Sequence, residues 1–225
     1  MNNRPSQTKD GFLLNKIFIS KKHFIIYNRQ AMNEIIEIKR KEFEVVQKLG
    51  EHSYKVQRKD KFFFLKKYDN KEDFRKFVDQ QHRLKITAID IPKVYLFDKN
   101  QMISVVEFIE GETMLEYLSK QSLENEDIIK RLFLDEWYMR REKLRIDFLP
   151  EYFIYNGKKL VYLPYTFGNI EPGYNFTMKD LKLWFDTKEL KEYLESKGYN
   201  PDAKRFSNEY LTNKQMALMT VKYYI

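Results

Sequence analysis

Apolar side chains gather in three short stretches, 43–49, 54–58 and 62–68, which polar residues separate. Each stretch is rich in aromatic or β-branched residues, the types that favour strands. Gly50 and a polar corner follow the first stretch, and Lys59-Asp60-Lys61 follows the second. Connections as short as these join antiparallel neighbours. The pattern therefore predicts three consecutive antiparallel strands.

Longer segments further along the chain show the apolar spacing of amphipathic helices. The predicted helices cover 71–86, about 114–118, 122–141, 177–184, 187–197 and 208–222. Ser122 and Thr177 are expected to cap two of them, Asp180 is expected to complete a capping box with Thr177, and Gly198 is expected to end a third helix. In the last helix the spacing predicts one buried apolar set, comprising Leu211, Met216, Leu218, Met219 and Val221.

Two further strands are predicted at 89–98 and 102–108, and a hairpin is predicted at 152–163. The hairpin turn is Asn156-Gly157, a residue pair that strongly favours a two-residue turn.

Residues 1–42 form a leader whose pattern of apolar and polar residues differs from that of the following strands. Its apolar clusters at 12–14, 17–19 and 24–27 favour short strands and leave a helix open. The end of the leader, 31–41, shows a partly helical pattern made by Met32, Ile35, Ile36 and Ile38. The leader is interpreted either as an extra layer on the adjoining sheet or as a partner-binding segment.

The composition is that of a folded chain, because 43% of its 225 residues are hydrophobic and 16% are aromatic. No run approaches the roughly 18 apolar residues that a membrane span needs. The sequence contains no cysteine, which fits a reducing compartment, so we expect a cytoplasmic protein without a membrane span. The net charge of +8 suits nucleic acid as a partner, but basic and acidic residues are mixed along the chain, which favours a solvated basic surface.

Residues 145–154 carry the first chemical signal. They read Arg145-Ile146-Asp147, two further residues, Pro150-Glu151 and then an apolar strand. This stretch resembles the catalytic loop of protein-kinase-like phosphotransferases, which reads His-Arg-Asp, two residues and Pro-Glu-Asn before an apolar strand. The resemblance covers about residues 43–185. The family that the chain resembles includes bacterial and aminoglycoside-type kinases.

The segment 102–118 resembles the hinge between the two lobes of the same family. An apolar strand leads into Glu107, an aromatic residue, Ile109-Glu110-Gly111 and an amphipathic helix. The resemblance implies that backbone groups of Glu107, Phe108 and Ile109 would hold the adenine of ATP.

The resemblance also implies roles for three other residues. Lys66, on the third predicted strand, would contact the α- and β-phosphates, and Gly50 would belong to the loop above them. Asp147 would be the catalytic base. The family holds its lysine with an acidic residue of the following helix, where the candidates here are Asp79, Gln80 and Gln81.

The magnesium positions depart from the family pattern. Tyr152 stands in place of a metal-binding Asn, and Pro164-Tyr165-Thr166 stands in place of Asp-Phe-Gly. Neither a neutral phenol nor a proline supplies the oxygen ligand that Mg²⁺ requires, so we predict no metal-binding residue at these positions. Glu151 and Glu171 are the alternative ligands, and binding of ATP without Mg²⁺ stays open.

These patterns predict an α+β, two-lobed protein-kinase-like fold. Residues 1–42 would be an N-terminal extension, 43–108 a small antiparallel-sheet lobe and 109–225 a shortened, mostly helical large lobe. The expected function is that of a pseudokinase that binds a protein partner and, in one interpretation, a nucleotide. An active ATP-dependent phosphotransferase of serine/threonine or small-molecule type, with Lys66 and Asp147 as its catalytic residues, is the first alternative. A basic nucleic-acid-binding protein is the second.

Overall fold

The computed structural model describes residues 34–164 and 166–224, so the strands expected at 12–27 lie outside the described part. The first part of the described chain forms one antiparallel sheet and one helix. These elements are β1 (Ile35–Ile38), β2 (Lys41–Gly50), β3 (Ser53–Arg58), β4 (Lys61–Lys67), α1 (Lys71–Leu84), β5 (Val94–Asp98) and β6 (Ile103–Glu107). The three consecutive strands predicted from Phe43 onward are confirmed as β2, β3 and β4.

The sheet has the order β1-β2-β3-β4-β6-β5 and curls so that its two edges approach each other. Lys39, in the turn after β1, donates from Nζ to the carbonyl oxygen of Phe97 in β5 at 2.5 Å. Gln101 donates from Nε2 to the carbonyl oxygen of Glu37 in β1 at 3.3 Å. Side chains and turns therefore connect the edge strands of the curled sheet.

The two faces of the sheet are packed differently. One face holds an apolar core, comprising Ile36, Ile38, Phe43, Val45, Val56, Phe63, Leu65, Leu96, Ile103 and Val105. The opposite face receives α1, whose Phe74 and Phe77 contact the rings of Tyr68 and Phe97. Because strand side chains alternate between faces, Lys66 lies on the side of α1 while its neighbour Leu65 lies in the core.

The second part of the chain contains short strands and most of the helices. The strands are β7 (Glu112–Thr113), β8 (Leu144–Arg145), β9 (Phe153–Tyr155), β10 (Leu160–Tyr162) and β11 (Gly168–Asn169), and the helices are α2 (Met114–Lys120), α3 (Glu126–Arg141), α4 (Phe176–Lys179), α5 (Lys188–Ser196) and α6 (Glu209–Tyr223). Strands β10, β9 and β7 form one antiparallel sheet, and β11 pairs with β8 in another. The predicted α+β class is therefore confirmed.

A second apolar core lies among these helices. Phe153 stacks on Phe148 and meets the indole of Trp184 edge to face, and Phe148 also contacts Phe176. All four side chains are buried. Leu84, at the end of α1, belongs to this core as well, so α1 contacts both halves of the described chain.

Two local predictions are confirmed. Asn156-Gly157 lies in the predicted hairpin between β9 and β10, with Tyr155 paired to Leu160, although the connection spans the four residues 156–159 rather than two. Gly198 follows the end of α5 with φ of 81°, as predicted, while the cap of that helix, Thr187, accepts the backbone N–H of Leu190 at 3.1 Å and was not predicted as a cap. Among the described residues, no helix combines the length and the apolar character needed to cross a membrane.

The predicted start of the long helix at Ser122 is wrong. Asn125 is the cap, because its side-chain oxygen accepts the backbone N–H groups of Asp127 and Ile128, and α3 begins at Glu126. A cap must directly precede the first helical residue to reach these N–H groups. The Ser122 hydroxyl donates to Asp186 instead.

Residues 35–38 and 177–184 also differ from prediction. Ile35 to Ile38 form a strand, in which Ile36 and Ile38 enter the core and Glu37 is exposed, so the spacing of two outweighs the partly helical pattern. Thr177 lies inside the short α4, and its hydroxyl donates to Asn175 rather than capping. Asp180 takes part in no capping box.

The fifth strand and the last helix need correction as well. The strand expected at 89–98 begins only at Val94. In α6, Leu211, Leu218 and Val221 are exposed instead of buried, while Met216 and Met219 pack against the second core.

Candidate functional site

Lys66 lies on the sheet face that carries α1. Its cross-strand neighbours are Ser53 in β3 and Ser104 in β6. The ammonium group lies 5.0 Å from the centre of the Tyr68 ring. Burial lowers the pKa of Lys66, and the carboxylates of Asp73 and Asp69 oppose this shift. Lys66 is therefore partly buried, and the two nearby carboxylates stabilise its positive charge.

The carboxylates that act on Lys66 were missed in the sequence. Helix α1 was expected to supply Asp79, Gln80 or Gln81, but Asp79 is exposed and Gln80 donates from Nε2 to the carbonyl oxygen of Thr166 at 3.3 Å. Gln81 is buried, and its Oε1 has no hydrogen-bond partner within the described part of the chain. The sequence did contain one usable signal: Asp69, and Asp73 in the first turn of α1, both follow Lys66 within seven residues, directly after β4.

Gly50 ends β2 and pairs with Ser53 across a turn of two residues, Glu51 and His52. The carbonyl oxygen of His52 accepts the backbone N–H of Lys67, which ties the turn to β4. Nε2 of His52 also lies 3.2 Å from Oδ1 of Asp69. The turn is therefore short and anchored to its own sheet, unlike a longer glycine-rich loop that can close over phosphates.

The stretch Glu107 to Ile109 comes at the end of β6. The backbone N–H of Glu107 donates to the carbonyl oxygen of Lys93 at 2.8 Å, and that of Phe108 donates to the carbonyl oxygen of Phe62 at 3.4 Å. Ile109 is half-buried. The N–H groups of Glu107 and Phe108 are thus already used within the curled sheet.

Lys55 lies beside this stretch and was not identified from the sequence. Its ammonium group lies 4.3 Å from the ring centres of both Phe62 and Phe108, and 3.6 Å from a carboxylate oxygen of Glu110. Its side chain is only 19% exposed. Because Lys55 shares its sheet face with Ser53, this cation–π cluster occupies the side of the sheet on which Lys66 also lies.

Asp147 lies in the loop after β8. Its backbone N–H donates to Oγ1 of Thr166 at 2.8 Å, the residue whose carbonyl oxygen accepts from Gln80. The carboxylate forms an ion pair with Arg145, with 3.2 Å between Nη2 and Oδ1. The other terminal nitrogen of Arg145 lies 3.2 Å from Glu171. One guanidinium therefore holds two carboxylates, and Asp147 is engaged rather than free.

Tyr152 is buried, with 7% of its surface exposed, at the end of a one-turn 3-10 helix, Pro150–Tyr152. Burial raises the pKa of its phenol to about 12, and the nearby charges of Glu151 and Asp147 act in the same direction. The group is therefore a neutral phenol at physiological pH. Such a group does not supply the charged oxygen ligand that Mg²⁺ favours.

The two alternative metal ligands are also engaged. Glu151 accepts hydrogen bonds from the Tyr193 hydroxyl at 2.5 Å and from Lys197 at 3.1 Å. Glu171 is bound to Arg145. Among residues 34–164 and 166–224, no group of three or more His, Cys, Asp or Glu residues has a metal-binding arrangement. The described side chains thus do not fit the magnesium implied by the family resemblance.

Buried contacts hold the Asp147 loop from behind. The indole N–H of Trp184 donates to the carbonyl oxygen of Phe148 at 2.7 Å. Asp180 accepts the backbone N–H of Phe148 and the Tyr174 hydroxyl, and burial raises the pKa of its carboxyl group. These contacts fix the backbone on either side of Phe148.

Lys66 is a partly buried amine on the sheet, and Asp147 is a carboxylate that an arginine holds in the loop after β8. Lys66 contacts Tyr68, and Asp147 contacts Arg145; α1 connects the two regions through Gln80 and Thr166. Neither a protein-family model nor a curated protein matches this chain. The class of the protein is therefore inferred from these residues and from the order of the elements.

Proposed function

We propose that this chain is a kinase-like domain that does not transfer phosphate and that acts by binding a protein partner. The order of the elements supports the kinase-like part. Three antiparallel strands lead through α1 to two more strands, then through the stretch Glu107 to Ile109 to helices and the Asp147 loop. That is the order in which the resemblance expects the small lobe, the hinge and the catalytic loop.

The observation that carries the proposed loss of transfer is the double ion pair of Arg145. A catalytic base must accept a proton from the attacking hydroxyl, and so it needs an oxygen open toward the substrate. Here Asp147 shares a guanidinium with Glu171. The arginine takes up Oδ1 of Asp147 and Oε2 of Glu171 and offsets their negative charge, which disfavours both carboxylates as a base or a metal ligand.

Two further observations support the same conclusion. Tyr152 and Pro164 offer no ligand for Mg²⁺, and the neighbouring carboxylates are bound to protein cations. Lys55 with its two aromatic rings occupies the surface beside Phe108, where the resemblance expects an adenine. A protein surface, rather than a nucleotide reaction, is then the functional part of the fold.

The test is thermal unfolding with ATP, with and without Mg²⁺, on the wild type, Lys66→Ala and Lys61→Ala. Lys61 is an exposed lysine on the same strand and serves as the control. A ligand at 100 times its Kd would stabilise the fold by about 2.7 kcal/mol, which such a scan resolves. We expect no magnesium-dependent stabilisation in any of the three proteins, and no self-labelling or hydrolysis with γ-labelled ATP.

The alternative of an active phosphotransferase predicts a different set of results. It requires a magnesium-dependent shift in the wild type and in Lys61→Ala that Lys66→Ala loses. It also requires phosphate transfer that Asp147→Ala abolishes. Observing both would overturn the proposal.

A further inference from the structure

Helix α6 is apolar on two opposite sides. Its inner side packs against the second core through Met216, Met219 and Tyr223. Its outer side is exposed and carries Tyr210 (74%), Leu211 (55%), Leu218 (59%) and Val221 (84%). A helix that is apolar all round is normally buried all round.

The exposed residues form one continuous stripe. Positions 210, 211, 214, 217, 218 and 221 have the i, i+1, i+4, i+7, i+8, i+11 spacing of a single helix side. Ala217 and Lys214 complete the set, which we call the α6 outer stripe. Single exposed apolar residues need no explanation, but a contiguous patch on a helix marks an interaction site.

The stripe contains one charge. Lys214 lies among the apolar side chains and is exposed. Lys222 lies at the edge of the stripe and forms an ion pair with Glu126. Within the part of the chain that the structure describes, no carboxylate forms an ion pair with Lys214. A partner that covers the stripe desolvates Lys214, and this costs free energy unless the partner supplies an acidic group.

This charge argues against three other occupants. A second copy of the chain would bring a net charge of +8 toward an equal charge. The leader is also basic, because residues 1–42 contain nine lysines and arginines against four aspartates and glutamates. A lipid surface favours helices that carry many cations around the apolar side, whereas here Lys214 and the already paired Lys222 are the basic residues of α6.

We propose that the α6 outer stripe binds an amphipathic helix of an acidic partner protein. The apolar side of the partner helix would cover Leu211, Leu218 and Val221, and a carboxylate at its centre would meet Lys214. Helix recognition through anchors spaced at i, i+3, i+4 and i+7 is a recurrent binding mode. This inference rests on the proposed function, because it names the surface through which a kinase-like domain without phosphate transfer would act.

The test is a selection from a display library of 18-residue helix-forming peptides. Each peptide carries a fixed apolar stripe and one randomised position at the centre of that stripe. The full-length wild type, Leu218→Asn, Lys214→Glu and two controls serve as baits. The controls are Ile86→Asn, which removes an equally exposed apolar side chain elsewhere, and Lys61→Glu, which reverses an exposed charge elsewhere. Thermal unfolding verifies that all five proteins fold alike.

We expect the wild type and both controls to enrich Asp or Glu at the randomised position. Lys214→Glu should enrich Lys or Arg there, and Leu218→Asn should bind the enriched peptides at least tenfold more weakly. Failure of the wild type to retain any peptide would overturn the inference. Equal binding of the enriched peptides by the wild type and Leu218→Asn would overturn it as well. So would enrichment of Asp or Glu at the randomised position by Lys214→Glu.

Parallel measurements assign the stripe to a different occupant if the inference is wrong. Sedimentation velocity would show a dimer that Leu218→Asn dissociates. Flotation with phosphatidylserine vesicles would show binding that depends on Leu218. A disulfide that forms in a Leu13→Cys, Leu218→Cys double variant of this cysteine-free chain would assign the stripe to the leader. Detection of phosphate transfer would overturn the proposed function without changing the peptide results, so the two failures can be told apart.

Discussion

Arg145 and Asp147 form an ion pair with 3.2 Å between Nη2 and Oδ1, although a single residue separates them. That residue, Ile146, is buried in the second core, so the two charged side chains lie on the same side of an extended backbone. The guanidinium also reaches Glu171 and lies 4.9 Å from the ring centre of Tyr174. Arg145 therefore connects the Asp147 loop to the segment after β11.

Replacing Arg145 tests this connection. We expect Arg145→Gln to lower the free energy of unfolding by about 1–2 kcal/mol, because two carboxylates lose their partner and the Tyr174 ring loses a stacked cation. Partial solvent exposure of the pair keeps the loss moderate. Urea denaturation at neutral pH measures it. Phosphate transfer should not increase, because Tyr152 and Pro164 are unchanged.

Lys188→Gln is the matched control for this variant. Lys188 forms an exposed ion pair with Glu192 on α5, at 3.6 Å. Exposed pairs contribute little, so the change should stay within about 0.5 kcal/mol. Equal losses of unfolding free energy in the two variants would mean that Arg145 does not stabilise the connection between the Asp147 loop and the segment after β11.

The indole of Trp184 offers a second test, which concerns how the loop is held. Its N–H donates to the buried carbonyl oxygen of Phe148 at 2.7 Å. Trp184→Phe removes this donor and leaves the carbonyl without it, so we expect a loss of about 1–3 kcal/mol in chemical denaturation. Trp137→Phe changes a half-buried indole on α3 and should cost clearly less. The opposite ranking would show that the bond does not hold the loop.

The sequence predicts those elements whose signals are local. The glycine at 198 and the pair Asn156-Gly157 each act within a few residues, and the structure has a helix end before the first and a hairpin connection at the second. The strand pattern from Phe43 to Tyr68 is similarly direct. Ile35 to Ile38 were harder, because four residues with three isoleucines fit a helix and a strand alike until β2 selects the spacing of two.

The site depends on contacts that no local pattern contains. Phe108 reaches Lys55 from a segment that is distant in the sequence, and Glu171 meets Arg145 from beyond the hairpin of β9 and β10. Lys66 and Asp147 were selected by resemblance, and their catalytic roles stay predictions. Apolar spacing in α6 could not indicate which side packs, since both sides are apolar and only the position of the second core decides.

Gly111 lies in the connection between the two parts of the chain and has φ of 155°. A Cβ at this position would lie 2.5 Å from the carbonyl oxygen of Tyr155 and 2.7 Å from Cγ2 of Ile154. We expect Gly111→Ala to destabilise the fold by about 1–3 kcal/mol, because the backbone of β9 would have to move. Gly168→Ala is the control, since a Cβ there meets no atom within 4 Å. Equal unfolding midpoints for the two variants would contradict this packing.

Asp135 should make stability depend on pH. Its side chain is buried in α3 next to Arg131, with 2.7 Å between Nη2 and Oδ1, and burial raises its pKa to about 7 against an opposing effect of Arg131. Because the folded protein holds this proton more tightly than the unfolded chain, whose pKa is 3.8, the contribution to stability is complete below pH 4. It is lost as the pH rises to about 7.

The variant Asp135→Asn lacks this titration and keeps an oxygen for Arg131. The free energy of unfolding of the wild type, minus that of the variant, should therefore fall between pH 5 and pH 8, by at most about 3 kcal/mol at about 1.4 kcal/mol per pKa unit. Glu136 and Asp180, whose pKa values burial also raises, are present in both proteins and cancel in the difference. Urea denaturation at the two pH values measures it. Parallel stability curves would mean that Asp135 stays ionised in the folded protein and that Arg131 outweighs its burial.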